Sequence, residues 1–432
     1  MADTSKKERI AIIDGLRTPF CKAGGAAMGL AADDFGALVA RELMTRTGFP
    51  AADLDEIIVG NVAQPADSAN VARIIGLKAG LPQDLIASTV HRNCASGMEA
   101  ISTAGTKIRA GEANALLCVG TESMSNIPLL FNRQMTALFT RLMKAKGVWP
   151  KVKTWLGLRP AYLNPIIGVQ AGLTDPVAGL NMGQTAEILA REFHITRAAQ
   201  DAFALGSHQK AVAAAGRLAA EIMALPLPPR YDAMLTADDG PRAGQDMAAL
   251  AKLKPYFDRI AGTVTVGNAC PLTDGAGAVL VMGESRAKSM GLSPLGYVRD
   301  WAYAGLDGRR MGLGPVFATA KLAEKTGVAV KDYDLVELNE AFAAQVLACT
   351  TAFASDDFAK RELGRDRALG EIDPAKLNVN GGAIALGHPV GATGTRLVVT
   401  ALHELRRRGG GQALATLCIG GGQGAAFHLE SA

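Results

Sequence analysis

Short apolar runs alternate along this chain with longer stretches in which apolar residues recur every three or four positions. RIAIID near the start gives way to DDFGALVARELMTRTG and then to DEIIVGNV; far downstream, VKDYDLVELNEAFAAQVLA repeats the same order. The compact runs predict buried strands and the periodic stretches predict helices. The expected class is therefore α/β, with strands held between helical layers. At 432 residues the chain exceeds one ordinary core, so more than one domain is expected.

The pattern also repeats itself. DLDEIIVGN (53–61) parallels DYDLVELN (332–339), and NCASGMEAISTAGTKIRAGEANALLCVG (93–120) parallels GATGTRLVVTALHELRRRGGGQALATLCIG (391–420). Preserved order predicts two copies of one α/β unit. Between them, 123–250 is richer in Pro and Gly and carries one good helix, TAEILAREF running into AAQDAFALGSHQKAVAAAG. The expected organisation is a first core at 1–122 completed by 251–283, an inserted loop domain at 123–250, and a second core at 284–432.

Composition narrows the class. Hydrophobic content of 49% with 20% charged residues describes a soluble globular protein. Lys and Arg number 45 against 41 Asp and Glu, a net +4 that makes no case for nucleic acid. Six cysteines are scattered without a CxxC pair or zinc-like spacing, which predicts free thiols in a reducing compartment and no metal. MADTSKKERIAIIDG has no apolar leader and no run of eighteen apolar residues occurs, so a cytoplasmic location is expected.

Candidate chemistry gathers at small-residue segments. Cys94 in HRNCASGMEA follows the strand-like LIASTV and precedes a helical run; a helix start lowers a thiol pKa, against the alternative of a buried small hydrophobe. His388 lies in GGAIALGHPVGATGTR, where glycines allow a ligand close to the main chain; it either orients a thiolate or merely occupies a turn. Cys418 ends ALATLC and opens IGGGQG, whose N–H groups, Gly420 among them, suit a developing oxyanion. GGGQGA also fits a dinucleotide fingerprint, but only eight residues follow Gly424, too few for the helix and strand that reading needs. GHPVGATG lacks a P-loop lysine. Asn339, where a strand meets a helix in LNEAFAAQ, is either an N-cap or a polar catalytic group.

In combination these segments resemble the thiolase family. The likeness runs almost end to end through RTPFCKAGGA, NCASGMEA, MGQTAE, GTVTVGNA, NEAF, GGAIALGHPVGATG and CIGGGQG. The insertion is most similar to that of thiolases forming the β-subunit of fatty-acid oxidation complexes, although relatives of that branch often carry His where Asn339 stands. The resemblance implies a thiolase fold: two duplicated α/β cores layered α-β-α-β-α, with an inserted loop domain. It implies CoA-dependent cleavage of 3-ketoacyl-CoA to acetyl-CoA and a shortened acyl-CoA, with Cys94 as nucleophile, His388 as its base and Cys418 as acid and base. Oxyanion sites would come from His388 with Asn339, and from the N–H groups of Cys94 and Gly420. Cys270, at a position usually Ser, would meet CoA together with Phe342 and Met182. CoA is then a substrate and no cofactor is implied. Acyl-CoA and CoA are the small-molecule partners. A homodimer or homotetramer and a hydratase/dehydrogenase partner subunit are also expected. The alternatives are a biosynthetic acetoacetyl-CoA thiolase and a non-catalytic CoA- or lipid-binding relative.

One stretch stands apart. From Ser123 to Thr174 there is no Asp or Glu, while Arg133, Arg141, Lys144, Lys146, Lys151, Lys153 and Arg159 alternate with Leu, Phe, Met and Trp. Residues 127–160 are expected to meet anionic lipid, a partner subunit or the CoA phosphates, against a plain solvated helix.

Overall fold

The computed structural model describes residues 8–432; residues 1–7, on which part of the leader-free reading and the start of the first expected core rest, lie outside the described residues. Ten strands form one mixed sheet. They are β1 (Ile10–Arg17), β2 (Cys21–Lys22), β3 (Glu56–Gly60), β4 (Ile86–Val90), β5 (Ala115–Ser123), β8 (Thr273–Gly283), β9 (Gly296–Gly305), β10 (Leu335–Leu338), β11 (Gln412–Ile419) and β12 (Gln423–Ser431). Six further short strands pair two by two outside this sheet, among them β6 (Leu129–Leu130) with β7 (Ile166–Ile167). The sheet order is β10-β11-β12-β9-β1-β8-β5-β3-β4, with β2 on β8.

The two halves meet where β1 pairs antiparallel with β9, Ile10 opposite Val298 through Ile12 opposite Gly296. Outward from that junction one half runs β1, β8, β5, β3 and the other β9, β12, β11, β10. The sequence repeats occupy matching places: β3 with β10, and the α3–β5 unit with α10–β11, where α3 is Ser96–Arg109 and α10 is Val390–Arg408.

Helices complete five layers. α1 (Ala32–Thr47) and α2 (Val71–Ala79) cover one outer face, their Phe35, Val39, Leu43 and Ile75 packing on Leu117, Ala278 and Leu280. α8 (Gly314–Thr326) and α9 (Ala343–Phe353) cover the other through Val316, Leu322, Val346 and Phe353. α3 and α10 fill the middle, where Met98, Ile101, Val398 and Leu402 share one core with strand residues of both halves. Local sequence specifies these helices well. α1 opens on Asp33 and Asp34, carries Arg46 in its last turn and stops at Gly48 in the left-handed region, φ 61°.

The chain leaves the sheet at Ser123 and returns at Thr273. Within this excursion the expected single helix is instead two, α6 (Met182–Glu192) and α7 (Arg197–Ala213). His194 at φ 52° breaks the run, and Thr196 caps α7 by accepting from the Ala199 N–H at 3.2 Å. Earlier come α4 (Arg133–Lys144) and α5 (Val148–Trp155). Among the described residues no helix is long and apolar enough to cross a membrane.

One ion pair lies inside the middle layer. Arg396 on α10 donates to Glu337 of β10 at 2.7 Å, both side chains being at most 1% exposed. Burial pushes the Glu337 carboxyl up to about 7, against the pull of the guanidinium. Breaking such a pair strands a buried charge, at roughly 3–5 kcal/mol. Arg396→Met should therefore lower unfolding free energy by about that amount in urea titration. Arg396→Met combined with Glu337→Leu should recover most of it.

Candidate active site

Two close helix starts build the site. Ahead of α3, Asn93 takes φ 43°, a left-handed conformation that Asn tolerates better than most residues. Its side-chain Nδ2 donates to the Gly420 carbonyl at 2.7 Å, tying the loop before α3 to the turn that joins β11 and β12. That turn closes between Ile419 and Gln423, with Gly421 and Gly422 at φ 86° and 78°. Cys94 is thereby placed beside Gly420 in one cavity wall, where the Gly420 N–H and its own N–H favour the thiolate.

Cys94 lines a cavity of about 1060 Å³ together with Gly420 and Gly421 from the core side and Ile127, Leu130, Val177 and Met182 from the insertion. Cys418, Phe342 and Met182 belong to one apolar cluster behind the cavity, with Phe257 set edge-on to Phe342 at 5.8 Å. Cys270 reaches the same region because Ala269 bridges to Phe342 and the Cys270 N–H donates to the Ala341 carbonyl at 3.1 Å. Met182 alone of the three expected CoA contacts lines the cavity; Cys270 and Phe342 do not.

The thiols act on one another. Burial raises the Cys418 thiol well above its ordinary pKa, and the nearby sulfurs of Cys94, Cys349 and Cys270 push the same way. Cys270 is pushed up to about 12, by burial first and then by Cys94. Cys94 is raised too, chiefly by burial, although the Gly420 and Cys94 N–H groups oppose the rise. The expected lowering by a helix start is thus corrected. Ala95, not Cys94, is the N-cap of α3, and desolvation outweighs the N–H groups.

His388 sits just before α10, after Gly387 at φ 105°. Its Nδ1 lies 2.6 Å from Thr393 Oγ1, and that hydroxyl donates to the Pro389 carbonyl at 2.9 Å. A hydroxyl has one hydrogen, so Nδ1 must be the donor and Nε2 carries the lone pair. Nε2 is buried with no hydrogen-bond partner in the chain. Burial, helped by the charge of Arg396, lowers the His388 pKa to about 3, so the ring rests neutral. Asn339 is similar: its main-chain N–H donates to Thr416 at 3.0 Å, while both side-chain amide atoms are buried and unpartnered. The N-cap alternative for Asn339 fails, because Phe342 is the N-cap of α9. Orphaned polar atoms of this kind are costly unless a ligand uses them.

The glycines around His388 serve packing. A Cβ on Gly394 would come 2.5 Å from the Met98 nitrogen, and one on Gly391 would come 2.3 Å from the Thr121 carbonyl oxygen. They let α10 lie directly on α3 and β5, and do not open a lane for substrate. The cavity is lined by other glycines, among them Gly420 and Gly421.

Three supporting residues escape sequence reasoning. Asn93 and Thr393 have no signal beyond being small and polar beside a candidate. Glu122 has one, as a charge closing the apolar run ALLCVGTES. It accepts from the Val62, Ala63 and Gly391 N–H groups at 3.2, 3.0 and 3.0 Å, with its pKa pushed up to about 7 by burial. It thus holds a cavity wall against the start of α10.

Two related α/β halves with thiols gathered at their seam define an acyl-transferring enzyme built on a duplicated core. The chain belongs to the thiolase family: the thiolase N-terminal domain matches residues 10–285 and the thiolase C-terminal domain matches residues 292–431. It is 43% identical over 432 residues to a 3-ketoacyl-CoA thiolase of Pseudoalteromonas translucida, covering 99% of this chain and 98% of the relative. A 3-ketoacyl-CoA thiolase of Aeromonas salmonicida is 42% identical over 430 residues, with the same coverage. Among solved structures, Bacillus anthracis acetyl-CoA acetyltransferase superposes with a TM-score of 0.87 at 34% identity, covering 99% of both chains. Human mitochondrial 3-ketoacyl-CoA thiolase in complex with CoA gives 0.84 at 34% identity, covering 98% of both.

A neutral imidazole and a raised thiol predict how the resting site reacts. Alkylation of Cys94 by iodoacetamide should climb about tenfold per pH unit between pH 7 and 9, because the thiolate is the nucleophile. A plateau across that range, read by peptide mapping, would show a preformed thiolate–imidazolium pair instead.

Proposed function

We propose that this protein is a 3-ketoacyl-CoA thiolase that splits its substrate through an acyl group carried on Cys94. The observation that carries the reading is the Cys94 thiol beside Gly420 in the cavity wall, with the buried Cys418 thiol packed in the same apolar cluster as Met182, which lines that cavity. The Cys94 proton passes to His388 Nε2 while the sulfur attacks the 3-keto carbon. The bond between C2 and C3 then breaks, and its electron pair stays on C2 of the departing acetyl-CoA. Cys418 gives that carbon a proton. Incoming CoA returns a proton to the Cys418 thiolate, and the CoA sulfur attacks the thioester at Cys94. Acyl-CoA leaves, and Cys94 takes back the proton held on His388.

Because burial disfavours charge on every one of these groups, the imidazolium and the Cys418 thiolate that stand during the acyl-enzyme stage are discharged once turnover is complete, and the resting site is neutral. Negative charge develops on two oxygens in turn. The N–H groups of Cys94 and Gly420 suit one, and the orphaned Asn339 amide with His388 Nε2 suits the other. The apolar wall supplied by Ile127, Leu130 and Val177 favours chains longer than four carbons, and with them the degradative direction. A dehydrogenase that oxidises a 3-hydroxyacyl-CoA would supply the substrate. Six unpaired cysteines suit a reducing cytoplasm.

A thiolysis assay across chain lengths tests this reading. Wild-type activity should rise beyond C4 and vanish in Cys94→Ala, with Cys418→Ser losing most of it. Inactivity on every length would overturn the proposal, and strict C4 preference would point to acetoacetyl-CoA. Asn339→Ala should cost about 10²–10³-fold in kcat, as loss of one oxyanion donor does. Its melting temperature should hold or rise, since the amide it removes is unpaired within the fold.

Assembly as a homodimer through β4 accompanies this reading. β4 is the last strand of its half, and Ile86 on it is 62% exposed. A second copy pairing along that edge would cover an open ladder that leads directly to the Cys94 loop. Ile86→Lys should shift the mass toward monomer in sedimentation velocity; a wild-type monomer would dismiss the arrangement.

A further inference from the structure

Glu122, near the end of β5, stands where the two sides of the site meet. Its side chain is fully buried. Oε1 accepts from the Ala63 N–H at 3.0 Å and from Asn61 Nδ2 at 3.3 Å. Oε2 accepts from the Val62 N–H at 3.2 Å and from the Gly391 N–H at 3.0 Å. Among the described residues no cation pairs with this carboxylate. Four donors converge on it, and only an ionised carboxylate accepts from all of them.

The donors belong to two segments that carry different halves of the chemistry. Val62, Ala63 and Gln64 follow β3 and line the cavity beside Cys94. The end of β3 lies directly on the start of α3, because a Cβ on Gly60 would stand 2.2 Å from the Ser96 carbonyl oxygen. On the other side, Gly391 is in the first turn of α10, just after His388, so its N–H has no partner within the helix. A Cβ on Gly391 would come 3.0 Å from Glu122 Oε2 and 3.2 Å from the Asn61 Cα. The carboxylate therefore fills the gap between the segment packed on the nucleophile and the segment that carries the base.

We infer that Glu122 is a positioning residue of the thiolase reaction, its carboxylate fixing the His388 side of the site against the Cys94 side. The inference rests on the thiolysis proposed above for those two residues. Glu122 touches no reacting atom and acts through Val62, Ala63 and Gly391. Both of its oxygens must accept. One added proton turns an acceptor into a donor facing two N–H groups, and one of the two tethers gives way. Burial pushes the Glu122 carboxyl up to about 7, with the charge of Asp274 on β8 acting in the same direction and the three main-chain N–H groups opposing. The other elements around it leave this titration to Glu122. Residues 61–64 carry no titratable side chain. Asp33 of α1 is taken up by Lys78 at 2.6 Å, and Arg396 of α10 by Glu337 at 2.7 Å. His388 stays neutral down to about 3, and burial raises the Cys94 thiol.

Thiolysis at saturating substrate, followed from about pH 5.5 to 8 with the melting temperature taken at each pH, tests this role. Wild-type kcat should fall toward acid with a midpoint near about 7 while the fold stays intact. Glu122→Gln keeps the shape but cannot ionise, and it turns an amide NH₂ on two of the donors. Its kcat should drop about 10²-fold, the scale of a misplacement of about 1 Å, with KM within about threefold and the acid limb gone. Glu122→Asp keeps the charge on a shorter arm, so its kcat should fall less and its acid limb should remain. A Glu122→Gln enzyme within about twofold of wild-type kcat, or one that keeps the acid limb, would overturn the inference. A limb kept in that variant would pass to another buried carboxyl such as Glu337, itself pushed up to about 7. If Glu122→Gln does not fold, Glu122→Asp decides, and wild-type kcat in it would overturn the role. Wild-type inactivity at every pH would overturn this role together with the thiolase reading, whereas an active wild type with an active Glu122→Gln removes this role alone.

Discussion

Everything in the site depends on how closely α3 and α10 approach in the middle layer. A Cβ on Gly97 would stand 2.5 Å from Thr395 Oγ1, and one on Gly394 would stand 2.5 Å from the Met98 nitrogen. With side chains at those positions the helices would have to move apart, and the loops ahead of them would separate. Those loops carry Cys94 on one side and His388 on the other. Two unremarkable glycine contacts thus set the relation between a nucleophile and the base proposed for it, far below the chemistry they control.

The same crowding fixes the electrostatics. No charged partner stabilises a thiolate here; burial raises Cys94, Cys270 and Cys418 and lowers His388. A site of neutral donors and acceptors is suited to passing one proton back and forth, since neither direction is blocked by a deep ionic well. Arg396, whose charge reaches His388, is paired with Glu337. An unpaired guanidinium at that depth would favour a persistent thiolate and slow its return.

Much of the architecture was legible because it repeats. Apolar runs such as IAIID and EIIVG, with the parallel between 93–120 and 391–420, specified the strands, their layering and the duplication. Cys94, His388 and Cys418 stood out as reactive types in small-residue settings. What escaped depended on three-dimensional contact. The thiol pKa was misjudged because sequence shows a helix start but not how deeply its first turns are covered. The glycines near His388 looked like room for a ligand, whereas only the packing of α10 on α3 and β5 reveals what fills the space. Asn93 was passed over because nothing in HRNC marks a left-handed residue, and the break at His194 lacks the Gly or Pro that usually announces one.

The short ladder between β1 and β9 has a mechanical meaning. Three residue pairs join the two repeats into a single plate, and the Asn93–Gly420 contact crosses the same seam from above. Opening the halves like a clamshell would tear that plate and pull the paired sulfurs apart while one of them is loaded. Entry and exit are therefore matters of threading, with the acyl chain and the long pantetheine arm drawn through a fixed aperture and the scaffold itself standing still.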